Sequence, residues 1–300
     1  MTAFRYFFFA LALLCHCTTS AQSDSLKWQR KSQLYWYSGV SLAYLSSMSL
    51  LYQTWYAPYN SGQFHFFNDN AQWGGMDKIG HFTTTWWMAD FIRSSAASSG
   101  LSKQQALKLG LLVPFVYTST IEVFDGFSEG WGFSTGDLLA NLGGIGFSYL
   151  QYRIPRLNEA SIRYSYTNDA WPSLRPDLLG TTGPERMLKN YNGQAYWLSV
   201  PVKWMIPSSP PWLLLSAGYS IDGYLGGSSN VYFEQQQWIN FGHVQRNPEI
   251  FLSLDIDLRK IPIQGKAWTL FTQLFRWVKI PAPTLAFCPN KGVQLHPLRW

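Results

Sequence analysis

Cysteine is scarce: there are three, and two of them, Cys15 and Cys17, fall inside an N-terminal leader. Once that leader is removed only Cys288 remains, and one thiol can form neither an internal disulfide nor a thiolate metal cage. Cys288 therefore reads as a small buried or half-buried residue. Charge is also scarce. Lys and Arg (23) with Asp and Glu (17) make up 13% of the 300 residues, against about 25% in a typical soluble domain. From Gln33 to Phe67 there is no Asp, Glu, Lys or Arg. No basic run of the kind that tracks a phosphate backbone occurs, which excludes nucleic acid as the expected partner. There is no internal repeat and no low-complexity tract.

Aromatic residues, by contrast, are abundant: 15 Trp, 17 Tyr and 20 Phe. Trp and Tyr collect where an apolar body sits in lipid while a polar edge stays wet, so membrane lipid is the expected partner. A mean hydropathy of −0.10 excludes a chain that is mostly lipid-embedded. The net charge is +6, or +5 once Arg5 leaves with the leader, and this balance suits an anionic lipid surface. Protein partners are not indicated.

Residues 1–21 read as a signal peptide, with basic Arg5, the apolar stretch Tyr6 to Leu14, and small Thr19 and Ala21 before a cut at Ala21. Lipidation at Cys15 or Cys17 is the alternative, although Leu14 and His16 are poor residues before a lipidated cysteine. The chain is expected to be exported to a bacterial-type cell envelope, facing the periplasm and associated with the outer rather than the inner membrane.

Residues 22–154 are expected to form a membrane-associated four-helix unit. Leu34 to Tyr52 is long enough to cross a bilayer but rich in serine. A second helix is expected from Met76 to Ser99, closed by Gly100, and a third from Lys103 to Phe124, capped by Ser102 and kinked at Pro114. A fourth runs from Thr135 to Tyr152 behind Ser134, with Gly143, Gly144 and Gly146 allowing close helix contact. Residues 155–300 change to short alternating runs. Strands are expected at Ser161–Thr167, Ala195–Met205, Trp212–Tyr219 and Ile250–Leu258, with one short amphipathic helix at Lys266–Val278 and an extended chain after Pro281. The fold class is thus α+β with a β-rich antiparallel C-terminal half. Asp255 and Asp257 are expected on the wet face of a half-buried strand, with Leu254, Ile256 and Leu258 on the other. A terminal Trp300 fits an outer-membrane barrel with a helical plug, a third architecture to weigh.

The candidate site residues are Asp77, Lys78, His81, Glu122, Asp125 and Asp137, with Ser134, Asn141 and Gly144 in structural roles. Asp77 and His81 are four apart and share one helix face, as do Asp137 and Asn141. A carboxylate at mid-bilayer costs roughly 2.5–3.5 kcal/mol, so such groups are expected to converge inside the bundle. Converged, they can form a polar network that fixes helix register. They can instead bind a divalent metal through His81, Glu122, Asp125 and Asp137, or divide acid and base work, with His81 as base and Asp77 orienting it. Ser134 sits where an N-cap belongs, which explains it better than a nucleophile does. His65, His243 and His296 stand alone and read as hydrogen-bonded or solvated side chains.

Asp77-Lys-Ile-Gly-His81, Glu122-Val-Phe-Asp125 and Asp137 with Asn141 and Gly144 together resemble the Asp-Lys-x-x-His, Glu, Asp-x-x-x-Asn pattern of VanZ-like membrane proteins. The stretch is similar above all to the YfiM-like family of predicted periplasmic lipoproteins, a domain of unknown function. The resemblance implies an uncharacterised envelope protein with a binding or structural role in envelope maintenance. A membrane-associated, metal-dependent hydrolase of a lipid or cell-wall precursor is the alternative.

Overall fold

The computed structural model describes residues 25–57, 60, 62–234 and 236–299, so the leader, its cleavage after Ala21 and the terminal Trp300 lie outside the described residues. The architecture is α+β, with helices first and an antiparallel six-stranded sheet in the C-terminal half. The chain divides into two compact units, Met1–Asp69 with His81–Arg153, and Asn70–Gly80 with Ile154–Trp300.

The helices are α1 (Ser25–Leu51), α2 (Met76–Ser98), α3 (Lys103–Gly126) and α4 (Thr135–Arg153). α1 starts earlier than its apolar run suggested and continues into a π turn at Tyr52–Tyr56. α2 ends at Gly100, whose φ of 89° places it in the left-handed region open to glycine. Its carbonyl accepts hydrogen bonds from Gln29 and Gln33 of α1 at 2.7 and 2.9 Å. A capping box opens α3: Ser102 Oγ accepts from Gln105 N–H and Gln105 Oε1 accepts from Ser102 N–H.

What α3 buries is unusual. Ala106, Gly110, Pro114, Thr118, Glu122 and Gly126, every fourth residue, form a small and polar stripe, while Leu112 and Val116 are exposed. α4 follows the same rule, burying Asp137, Asn141, Gly144, Ser148 and Gln151 and exposing Leu139 and Leu142. Small and polar residues thus line the helix contacts of α3 and α4, with aliphatic residues outside. Among the described helices α3 alone is long and apolar enough to cross a membrane; α1, the other candidate, is not.

The sheet runs β1-β2-β3-β6-β7-β8, built from β1 (Ser161–Tyr166), β2 (Gln194–Pro201), β3 (Leu213–Asp222), β6 (Asn247–Ile256), β7 (Ala282–Cys288) and β8 (Gly292–Arg299). β4 (Val231–Glu234) and β5 (Gln237–Asn240) form a separate hairpin. Two short helices, α5 (Pro176–Leu179) and α6 (Gly183–Lys189), precede β2, and α7 (Lys266–Phe275) is shorter than the expected Lys266–Val278. β2 stops at Pro201, before the expected Met205, because the chain turns into a 3-10 helix at Val202–Trp204.

The sheet curls on itself. Two strands lie between β1 and β6, a separation of about 14 Å if flat, yet Arg163 Nη1 is 3.3 Å from Asp255 Oδ2. The outer edge of β1 takes backbone bonds from the segment leading into β7: Tyr164 N–H donates to the Trp277 carbonyl and Lys279 N–H to the Tyr164 carbonyl.

The inner face of this curl combines a row of polar residues with the buried cluster of Ala195, Trp197, Phe251 and Ala286, while the outer face of β6 to β8 is apolar and exposed. One inner row reads Ser161, Ser199, Ser216, Ser253, Thr284 and His296 across six strands, and the neighbouring outer row reads Ile162, Leu198, Ala217, Leu252, Leu285 and Leu295. The expectation for Asp255 and Asp257 is therefore reversed: each is 1% exposed, whereas Leu254 is 49% exposed. Curling brings Arg163 and Lys279 to Asp255 away from water, and the half-exposed Arg259 bonds the buried Asp257, so both carboxylates find cations.

Candidate functional site

Helical periodicity places Asp77, His81 and Thr85 on successive turns of one face of α2. α3 contributes Glu122 from its small-residue stripe, and α4 contributes Asp137 and Asn141. Close approach of α2 and α4 depends on Gly144, where a Cβ would collide with the Phe82 carbonyl oxygen and lie 3.0 Å from Trp86 N.

His81 is half-buried among these groups. Its Nδ1 lies 3.3 Å from Asn141 Oδ1 and 3.4 Å from Glu122 Oε1, while Nε2 lies 3.8 Å from Asp137 Oδ1. Asn141 is fully buried, and its Oδ1 also accepts from Thr85 Oγ1 at 2.8 Å. With Thr85 already donating to it, Asn141 Oδ1 faces the ring as an acceptor, and so does Glu122. Nδ1 must then carry a hydrogen. In the neutral tautomer Nε2 turns its lone pair toward Asp137, and a lone pair and a carboxylate at 3.8 Å repel each other unless positive charge lies between them.

The other candidates have further partners. Ser134 Oγ accepts from Asp137 N–H at 3.1 Å and donates to Asp69 Oδ1 at 2.7 Å, the bonds of a helix cap. Asp125 sits three residues beyond Glu122, half-buried in the last turn of α3. Asp77 accepts from Tyr191 OH at 2.7 Å and pairs with Lys78 Nζ at 3.1 Å. His65 Nε2 is 2.7 Å from the Trp131 carbonyl, and His296 lies on the inner sheet row. Thr85, Asp69 and Tyr191 were missed from the sequence. Thr85 was within reach, being four residues past His81, whereas nothing local marks Asp69 or Tyr191, which are 65 and 114 residues from their partners.

Burial perturbs groups elsewhere in the second unit. Burial alone would push the Asp257 carboxyl up, but Arg259, bonded through Nε at 2.9 Å and Nη2 at 3.0 Å, draws it below the usual carboxylate range. Hydrogen bonds from Lys203 and Lys260 likewise hold Glu159 low. These pairs lie outside the helices and have the chemistry of structural ion pairs.

No curated protein and no solved structure matches the chain. Residues 65–153, which hold every candidate site residue, match the model of a family described as predicted periplasmic lipoprotein, a domain of unknown function (DUF2279).

Proposed function

We propose that the protein is an exported cell-envelope protein whose helical unit sits in a membrane and binds one divalent cation between His81 Nε2 and Asp137, in a binding or structural role in envelope maintenance. The observation that carries this is the orientation of His81. Asn141 accepts from Nδ1, with the Glu122 carboxylate 3.4 Å from the same nitrogen, as partners behind a metal-bound histidine do, and this leaves Nε2 facing a carboxylate. Two ligands at about 2.0–2.2 Å from one cation span a gap close to the 3.8 Å found here. Nitrogen with carboxylate oxygen favours Zn²⁺ over Mg²⁺ or Ca²⁺. The family match over residues 65–153 supports export to the periplasm. The small and polar stripes of α3 and α4, with aliphatic residues outside, support membrane residence. The VanZ-like spacing adds a likeness of motif without a substrate.

Elemental analysis of the purified full chain after equilibration with Zn²⁺ and desalting tests this. One bound equivalent is expected, lost in His81→Ala and in Asp137→Asn and kept in Asp177→Asn, which alters an exposed carboxylate of α5. Absence of zinc from the wild-type protein, or its retention in His81→Ala, overturns the reading in favour of a proton between Nε2 and Asp137.

A further inference from the structure

We infer that the outer face of β6, β7 and β8, together with α7, is in contact with the acyl chains of a lipid bilayer. This concerns the second unit and does not rest on the cation site.

Two independent inversions point to it. In β6 the residues facing inward are Asn247, Glu249, Phe251, Ser253 and Asp255, while Ile250, Leu252 and Leu254 face outward and exposed. A strand at a water boundary has the opposite alternation. The inner polar groups are bonded to one another: Arg163 to Asp255, Arg299 to Glu249 at 3.0 Å, Ser199 to Ser216 at 2.7 Å, and Lys279 Nζ to the Leu254 and Ile280 carbonyls. Polar groups paired inside with aliphatic groups outside is how a sheet is arranged when its solvent is lipid.

α7 repeats the inversion in helical form. Its buried residue is Thr272, whereas Leu270, Phe271, Leu274 and Phe275 are exposed, and Lys266 and Arg276 flank them. A helix of this kind lies in a membrane interface with its apolar side toward the acyl chains.

Charge at one end of the strands suits the same occupant. Arg156, Lys203, Arg259, Lys260 and Arg276 gather at the β1 start, the β2 and β6 ends and the approach to β7, against Glu159 and Asp257. Arg156 lies over the Trp204 ring at 5.0 Å and Arg276 over Trp277 at 4.4 Å. An excess of cations among tryptophans beside an aliphatic band matches the headgroup layer of an anionic bilayer.

The test uses the full chain with Cys15, Cys17 and Cys288 changed to Ser, reconstituted into phosphatidylethanolamine and phosphatidylglycerol vesicles. Leu252→Cys and Leu285→Cys each carry an environment-sensitive fluorophore, and Ser253→Cys, at a position 4% exposed, serves as an inward control that the label should not reach in the native protein. Quenching by doxyl-labelled lipid but not by aqueous iodide is expected for Leu252→Cys and Leu285→Cys, and no native labelling for Ser253→Cys. Should the Ser253→Cys protein fail to fold, the double variant Leu252→Asp with Leu285→Asp replaces it, with far-UV circular dichroism confirming the fold. Its partition into vesicles is expected to fall at least about tenfold. Iodide quenching of the outer labels, or disulfide cross-linking between copies through Leu252→Cys at the same rate without lipid, would overturn the inference, the second outcome assigning the face to another copy.

Discussion

Arg163, Lys279 and Asp255 meet where water does not reach, two cations against one carboxylate, with the Lys279 ammonium also 5.0 Å from the Trp197 ring. Removing one partner of a buried ion pair costs far more than the pair is worth, because the remaining charge has lost its counter-ion. Asp255→Asn should lower unfolding stability by about 3–5 kcal/mol in urea titrations followed by tryptophan fluorescence. Arg163→Met combined with Asp255→Leu should recover much of that loss. Asp257 gives a pH signature. Its folded carboxyl titrates below its unfolded value, so its contribution is complete above about pH 5 and is lost as pH falls through the folded value. Asp257→Asn should therefore make the decline of stability between about pH 5 and pH 2 shallower than in the wild type; an unchanged slope would mean that the Arg259 pair does not persist in solution.

Helices α2, α3 and α4 were legible in the sequence nearly to the residue, because Ser102, Gly100 and Ser134 mark their ends chemically, whereas α1 starts at Ser25, nine residues before the expected Leu34, because its first turns carry charge. Their inward faces were legible only in part. Glycines 143, 144 and 146 all suggested close packing, yet a Cβ on Gly144 would strike the Phe82 backbone, one on Gly143 would press on the Phe82 ring, and one on Gly146 would meet nothing within 4 Å. Gly144→Ala should destabilise the helical unit by about 1–3 kcal/mol through overpacking, while Gly146→Ala should be neutral or slightly stabilising; equal melting temperatures for the two would contradict this. Strands β7 and β8 escaped notice because Pro281, Pro283 and Pro297 argue against a ladder. β7 accommodates Pro283 at an irregularity between Ala282 and Thr284, where the register shifts. The alternation of β6 was plain in the sequence, but its direction was assigned on the assumption of a watery exterior. Period alone says which residues share a face and not which solvent that face meets.

For the chain as a whole, composition carried the broad class: few charges, many tryptophans and an N-terminal stretch with the pattern of a leader pointed to the envelope before any element was placed. The site was visible as residue types at helical spacing, but the choice of Glu122, Asp137 and Asn141 as the neighbours of His81 depended on which helices pack together. Cys288 offers a check on the molecule as it leaves the cell. It is 1% exposed, so a maleimide should fail to label the native protein and should add one label in denaturant if the leader is cut after Ala21. Three labels would place Cys15 and Cys17 in the mature chain as free thiols.

Trp197 stacks on Phe251 with ring centroids 5.3 Å apart, wedged over Gly218, and Arg163, Lys279 and the row of hydroxyls press in from the same side. A sheet stoppered in this way offers ions no bore. If the outer face meets lipid as inferred above, the protein added to a planar bilayer under voltage should insert without stepwise current, which would set it apart from conducting porins.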